Sequence, residues 1–136
     1  MRRILIVATA AVVLLAVAVG LQDRAVPAFV YCLRGERTLV VPVMSGPMTW
    51  TRVGSLTESP NSVVIEVREL RAPGPSAVGE LIGLVVHLRD PLGTRDVIDG
   101  FTGLVMQPDI FDCQGVRIQE ARDAYDGLPG TIKTAG

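Results

Sequence analysis

Lysine is all but missing from this sequence: Lys133 is the only one among 13 basic residues, and the arginines are scattered. Binding a nucleic-acid backbone needs a clustered cationic footprint, so the sequence argues against nucleic acid as a partner. Acidic residues number 14, and without Arg2 and Arg3 the remainder is more acidic still. Arginine, alanine, valine and glycine in this abundance read as the codon bias of a GC-rich bacterial genome.

Aromatic rings are also scarce. Phe29, Tyr31, Trp50, Phe101, Phe111 and Tyr125 are the full set, too few for the stacking platforms that sugars or single strands require. Trp50 reads first as a core residue and second as an anchor for a partner protein. With His87 the sole histidine and Cys32 and Cys113 the only cysteines, neither a zinc-hydrolase ligand set nor a CxxC redox pair can be assembled. Ser45, Ser55, Ser59, Ser62 and Ser76 offer hydroxyls, but none sits in a GxSxG elbow. His87 is expected to face solvent from a strand. Asp90, Asp96, Asp99, Asp109 and Asp112 crowd one stretch, yet DVIDG lacks the alternating ligands of a calcium loop, so they are expected to shape turns. No catalytic residue, metal or cofactor is predicted.

Charge is absent from Ile4–Gly20, ILIVATAAVVLLAVAVG, where Thr9 is the only polar side chain. Such a run is better solvated by hydrocarbon than by water, and Arg2 and Arg3 hold its start on the cytoplasmic side. Residues 1–20 are therefore expected to export the chain. They do so either as a signal peptide, cleaved at Ala16-Val17-Ala18 or Ala18-Val19-Gly20, or as a retained membrane anchor that spans through residues 4–20. A lipid anchor is disfavoured because bulky Tyr31 precedes Cys32.

Beyond that segment no window carries the 3.6-residue stripe of an amphipathic helix. Residues 21–28 read as a linker, 29–120 as a β-rich extracytoplasmic domain and 121–136 as a flexible tail with little to bury. Arg37–Met44, RTLVVPVM, reads as a strand placed at an edge by Pro42, which cannot donate to a ladder. In Asn61–Leu70, Val63, Ile65 and Val67 alternate with Val64, Glu66 and Arg68, the period of a half-buried strand. Glu80–Arg89 alternates likewise, and the two are expected to pair as a hairpin across Ala72-Pro73-Gly74-Pro75-Ser76. Shorter strands are expected at Val97-Ile98, Gly103–Met106 and Asp112–Ile118. Short strands divided by turn residues point to an all-β fold, a small antiparallel β-sandwich or open barrel behind an N-terminal hydrophobic helix.

Cys32 and Cys113 fall on the exported side, where an oxidising compartment favours a disulfide. That bridge would tie the first structured segment to the last. The stretch LRDPLGTRDVIDG, residues 88–100, resembles the strand, PLG turn and strand of small exported proteins of unknown function from GC-rich Gram-positive bacteria. The resemblance rests on Asp90-Pro91-Leu92-Gly93, Arg95 and Asp99-Gly100, and implies an envelope location without implying an activity. The expected role is binding or structural, with an envelope protein as the partner and Trp50, Pro73, Gly74 and Pro75 as contact candidates. The alternative is a secreted inhibitor or immunity-type protein using the loops Ser45–Met48 and Ala72–Gly79. A small hydrolase is the weakest reading.

Overall fold

The computed structural model describes residues 20–74 and 79–119, and these are all-β. Nine strands follow in chain order: β1 (Gln22–Val26), β2 (Val30–Gly35), β3 (Thr38–Ser45), β4 (Thr49–Glu58), β5 (Ser62–Arg71), β6 (Glu80–His87), β7 (Asp96–Asp99), β8 (Gln107–Pro108) and β9 (Arg117–Gln119). The hydrophobic run expected to form an export helix and the tail expected at 121–136 lie outside the described residues, apart from Gly20.

The strands form two sheets. In the first, β5 pairs antiparallel with β4 along one edge, while its other edge is shared by β1 and by β7, the latter parallel. In the second the order is β8-β2-β3-β6-β9, with β8 and β9 added parallel at the two margins. The expectation of a purely antiparallel domain is corrected by these three parallel pairings. Each involves a short marginal strand reached after a long connection, the situation in which parallel addition needs no tight turn.

One core lies between the sheets. Val63, Ile65 and Val67 from β5 meet Leu39, Val41 and Val43 from β3 and Ile82, Leu84 and Val86 from β6, all inside a single apolar cluster. The period-two pattern of β5 therefore does what it promises, placing Val63, Ile65 and Val67 fully out of solvent. Removing a side chain of this size from water is worth about 1.5–3 kcal/mol.

The same row ends differently. Glu69 holds the next inward position and is also buried, with its carboxylate taken by Arg24 of β1 at 3.1 Å. On the opposite face of this sheet Asp23 receives Arg52 at 3.0 Å and Arg68 at 3.3 Å, and Arg68 also reaches Glu66. Burial raises the Asp23 pKa, but the two guanidinium groups outweigh it and hold the carboxyl below its ordinary value.

Three further expectations change. Gln22–Val26, expected as linker, is a strand, because its polar side chains face the arginine network while its backbone pairs with Val67–Arg71. The hairpin expected between β5 and β6 does not form: they sit in different sheets, so the Pro/Gly-rich connection carries the chain from one sheet to the other. Gly103–Met106 contributes a single bridge, Val105 to Ile98, and no strand.

The segment 88–100 has a clear local job. Arg95 donates to the carbonyls of Asp90 and Pro91 at 2.8 Å each and of Leu92 at 3.2 Å, and its Nη1 reaches Glu58 at 3.1 Å. Gly93, at φ 56°, makes the turn that Arg95 then fills. Asp99 is fully buried and accepts the Thr102 hydroxyl at 2.7 Å. Each charged or polar residue that carries the resemblance and is buried here thus closes a loop.

Candidate functional site

The second sheet is apolar on both faces, which is unusual for a sheet expected to show one face to water. Leu39, Val41 and Val43 point into the main core, and Val40 points outward; in β6, Val85 does the same. Cys32 joins Val40 and Val85 on this outer face, and the loop 109–116 closes over them through Cys113 and Val116. Cys32 and Cys113 form a disulfide, with Cα atoms 6.1 Å apart and both residues buried. The predicted bridge is present, and its function in the fold is to clamp this loop down.

The loop is held by more than sulfur. Its Asp109 N–H donates to the Tyr31 carbonyl at 2.8 Å, and the Asp109 carboxylate accepts the Cys113 N–H at 2.8 Å. Asp112 and Cys113 both take left-handed backbone angles, φ 49° and 54°, which non-glycine residues adopt only where neighbours enforce them. Beneath the loop Gly83 leaves room for Val40 and Val116. A Cβ there would lie 2.6 and 2.8 Å from their methyl carbons.

Only half of this outer face is covered. β2 pairs with β3 at Thr38–Val40, and at Val30 and Tyr31 it lies between β3 and β8, so among the described residues β3 lacks a strand opposite β6 only near its end, at Met44 and Ser45. Pro42, expected at an edge, instead lies in a strand flanked by β2 on one side and β6 on the other. An apolar groove of about 660 Å³ opens beside the uncovered part of this face, with Val30 of β2 among its walls. Pro42 and Met44 of β3 and Leu81 of β6 line it from the sheet, with Phe29 and Phe111 on the flanking segments. Phe29, Met44 and Phe111 are 63%, 58% and 66% exposed. The ionisable side chains along it are Glu69 and Asp109, both carboxylates.

The backbone polarity of β3 follows from one bond. Leu88 donates to the Arg37 carbonyl at 2.7 Å, one residue before a β3–β6 ladder that runs without a register shift from Thr38–His87 to Ser45–Glu80. Odd-numbered residues of β3 therefore aim their backbone groups at β6, and even-numbered ones aim away. The missing N–H of Pro42 falls on the side of β2. Both backbone groups of Met44 point the same way, beyond the start of β2.

The residues singled out from sequence lie elsewhere. Trp50 is 47% exposed, not enclosed by the core, and lines a polar cleft of about 410 Å³ with Glu80 and Arg117, themselves paired at 2.9 Å. Pro73 and Gly74 lie on the neighbouring loop, where the Ala72 N–H donates to the Met48 carbonyl at 3.0 Å, so the two loops weighed as contact surfaces adjoin. Pro75 lies outside the described residues. His87 is exposed, as expected, with Nδ1 3.5 Å from the Thr38 hydroxyl. Cys32, Asp109 and Cys113 form the one ligand-like cluster among the described residues, but the disulfide consumes both thiolates a metal would need.

Sequence reasoning missed the groove because its walls come from positions far apart in the chain. A signal was present: in RTLVVPVM and ELIGLVVH both alternating sets are apolar, the mark of a sheet covered on two faces. No protein-family model matches the chain, and no curated protein or solved structure matches it.

Proposed function

We propose that this chain is an exported or membrane-anchored β-domain that binds another polypeptide in the cell envelope. The observation that carries the reading is the apolar groove beside a disulfide-clamped loop, with Phe29, Met44 and Phe111 left in solvent where a monomer gains nothing by exposing them. The charge-free run Ile4–Gly20 behind Arg2 and Arg3 supports export, and a disulfide fits an oxidising compartment. The likeness of residues 88–100 to small exported proteins of GC-rich Gram-positive bacteria agrees with the same location. Fractionation of cells making the native chain tests the location: recovery in the membrane or outside it is expected, and recovery in the cytosol would overturn it.

A second reading, an inhibitor acting on a protein partner, draws on the loops next to the groove, whose pocket shares Met44 and Glu69 with it. There Met48, exposed and at φ 58°, stands beside the 72–74 loop. Inhibition of an envelope protease that is lost in Met48→Gly would favour it over groove binding.

A further inference from the structure

We propose that the end of the domain nearest the apolar run rests in the headgroup layer of an anionic bilayer, with Leu21 and Met48 at its apolar boundary and Arg71 meeting lipid phosphate. The proposal rests on the membrane-anchored form of the reading above, in which residues 4–20 stay in the bilayer, and names the surface that this form uses. Only Leu21 separates Gly20, where that run ends, from Gln22, the first residue of β1. The step from Gly20 to Gln22 covers at most about 7 Å when fully extended, and the headgroup layer is about 5–7 Å deep on each side. The first strand therefore starts within that layer, with no tether that would let the domain stand off. Gly20 also lies against the domain, since a Cβ added there would fall 3.6 Å from the Pro73 ring.

The residues at this end suit such a layer. Gln22, Arg71 and Thr49 stand side by side in the last paired row of β1, β5 and β4. Leu21, Ala72 and Met48 come one step further out, where the Ala72 N–H donates to the Met48 carbonyl at 3.0 Å. Leu21 and Met48 are both large apolar side chains left exposed. Trp50 follows one row in and is half exposed, at the level where indole rings collect in membrane interfaces. Charge agrees. A hollow of about 360 Å³ beside Met48, Ala72 and Gly74 has Arg24, Glu69 and Arg71 as its ionisable groups. Glu69 is matched by Arg24, and Asp23, one row in, by Arg52 and Arg68. Arg71 has no acidic partner among the described residues, so the hollow keeps one positive charge that an anionic headgroup complements.

Trp50 is the only tryptophan of the chain, so its emission reports on this end alone. The native full-length chain is placed in nanodiscs of phosphatidylcholine with phosphatidylglycerol, whose acyl chains carry bromine either near the glycerol or near the terminal methyl. Shallow bromine should remove roughly half of the Trp50 emission and deep bromine little. Replacing phosphatidylglycerol with phosphatidylcholine should weaken the shallow quenching of the parent, whereas Arg71→Gln should be quenched equally in both. Met48→Ser, at an exposed position, should weaken quenching while leaving Tm unaltered. A gadolinium-bearing headgroup should broaden the amide signals of Leu21, Met48 and Ala72 and spare residues 59–61, at the opposite end of β4 and β5. Unquenched Trp50 in a chain still held by the disc, quenching as strong from deep bromine, indifference of the parent to phosphatidylglycerol, quenching of Met48→Ser equal to the parent's, or broadening that reaches residues 59–61 equally would each overturn the proposal. Recovery of the native chain outside the cell with residues 1–20 removed would overturn it too, while leaving export standing; a cytosolic chain sinks the reading beneath it.

Discussion

Glu58 and Arg95 meet at 3.1 Å with side chains 8% and 9% exposed, and between them they hold the connection from β6 to β7. Glu58 accepts the Arg89 N–H at 2.7 Å and the Asp90 N–H at 3.3 Å, while Arg95 donates to three carbonyls of the same loop. Removing one partner leaves the other enclosed without its charge match, which costs more than the pair contributes when whole. Arg95→Ala should therefore lower Tm by on the order of 10 °C. Calorimetry of Arg95→Ala and Arg95→Lys checks it. Lysine should recover little, since a single ammonium cannot reach all the carbonyls that the planar fork serves.

The same pair sets an acid limit. The Arg89 N–H most of all, against the opposing effect of desolvation, and then Arg95 and the Asp90 N–H hold the Glu58 carboxyl below its ordinary 4.5. Asp23 is held below 3.8. A carboxyl whose pKa is lower folded than unfolded stabilises the fold above its unfolded value, and that contribution fades as pH falls toward the folded one. Stability should be level above about pH 5 and fall steadily below about pH 4.5. Urea midpoints across that range measure it, and Glu58→Gln should flatten the upper part of the decline.

The strands were legible because their chemistry is local. Val63, Ile65 and Val67 announce an inward face whatever lies opposite, and Cys32 and Cys113 have only each other to bond. Partners were not legible. Period two tells which way a side chain points and nothing about which strand lies alongside, so β5 and β6 read as a hairpin although they belong to separate sheets. Gln22–Val26 looked like linker because its charged residues meet their partners, Arg52, Arg68 and Glu69, only after folding. Trp50 looked like core because size favours burial, yet its strand turns it toward a polar cleft.

Gly83 offers a check on the covered half of the outer face. Its substitution by alanine places a methyl 2.6 Å from Val40 and 2.8 Å from Val116, and overpacking of this kind costs about 1–3 kcal/mol. In a double-mutant cycle, Gly83→Ala with Val116→Ala should cost less than the two single changes summed, because the shortened side chain makes room for the new methyl. Additive losses from urea unfolding would mean that the loop does not press on this glycine.

The disulfide spans a sequence separation of 81 residues, and in the chain-entropy picture closing a loop of that size stabilises by about 4 kcal/mol. Cys32→Ala with Cys113→Ala should lose most of that. Amide exchange should accelerate first in residues 109–116 and at Val40 and Val85, while Val63–Val67 stay protected until global unfolding.

The most direct measurement is the intact mass of the native chain, recovered under conditions that trap free thiols and compared with and without reductant. The expected result is a chain outside the cytosol that takes up no alkylating label until reduced and then takes up two. A cytosolic, full-length chain labelled at both Cys32 and Cys113 before reduction would contradict it.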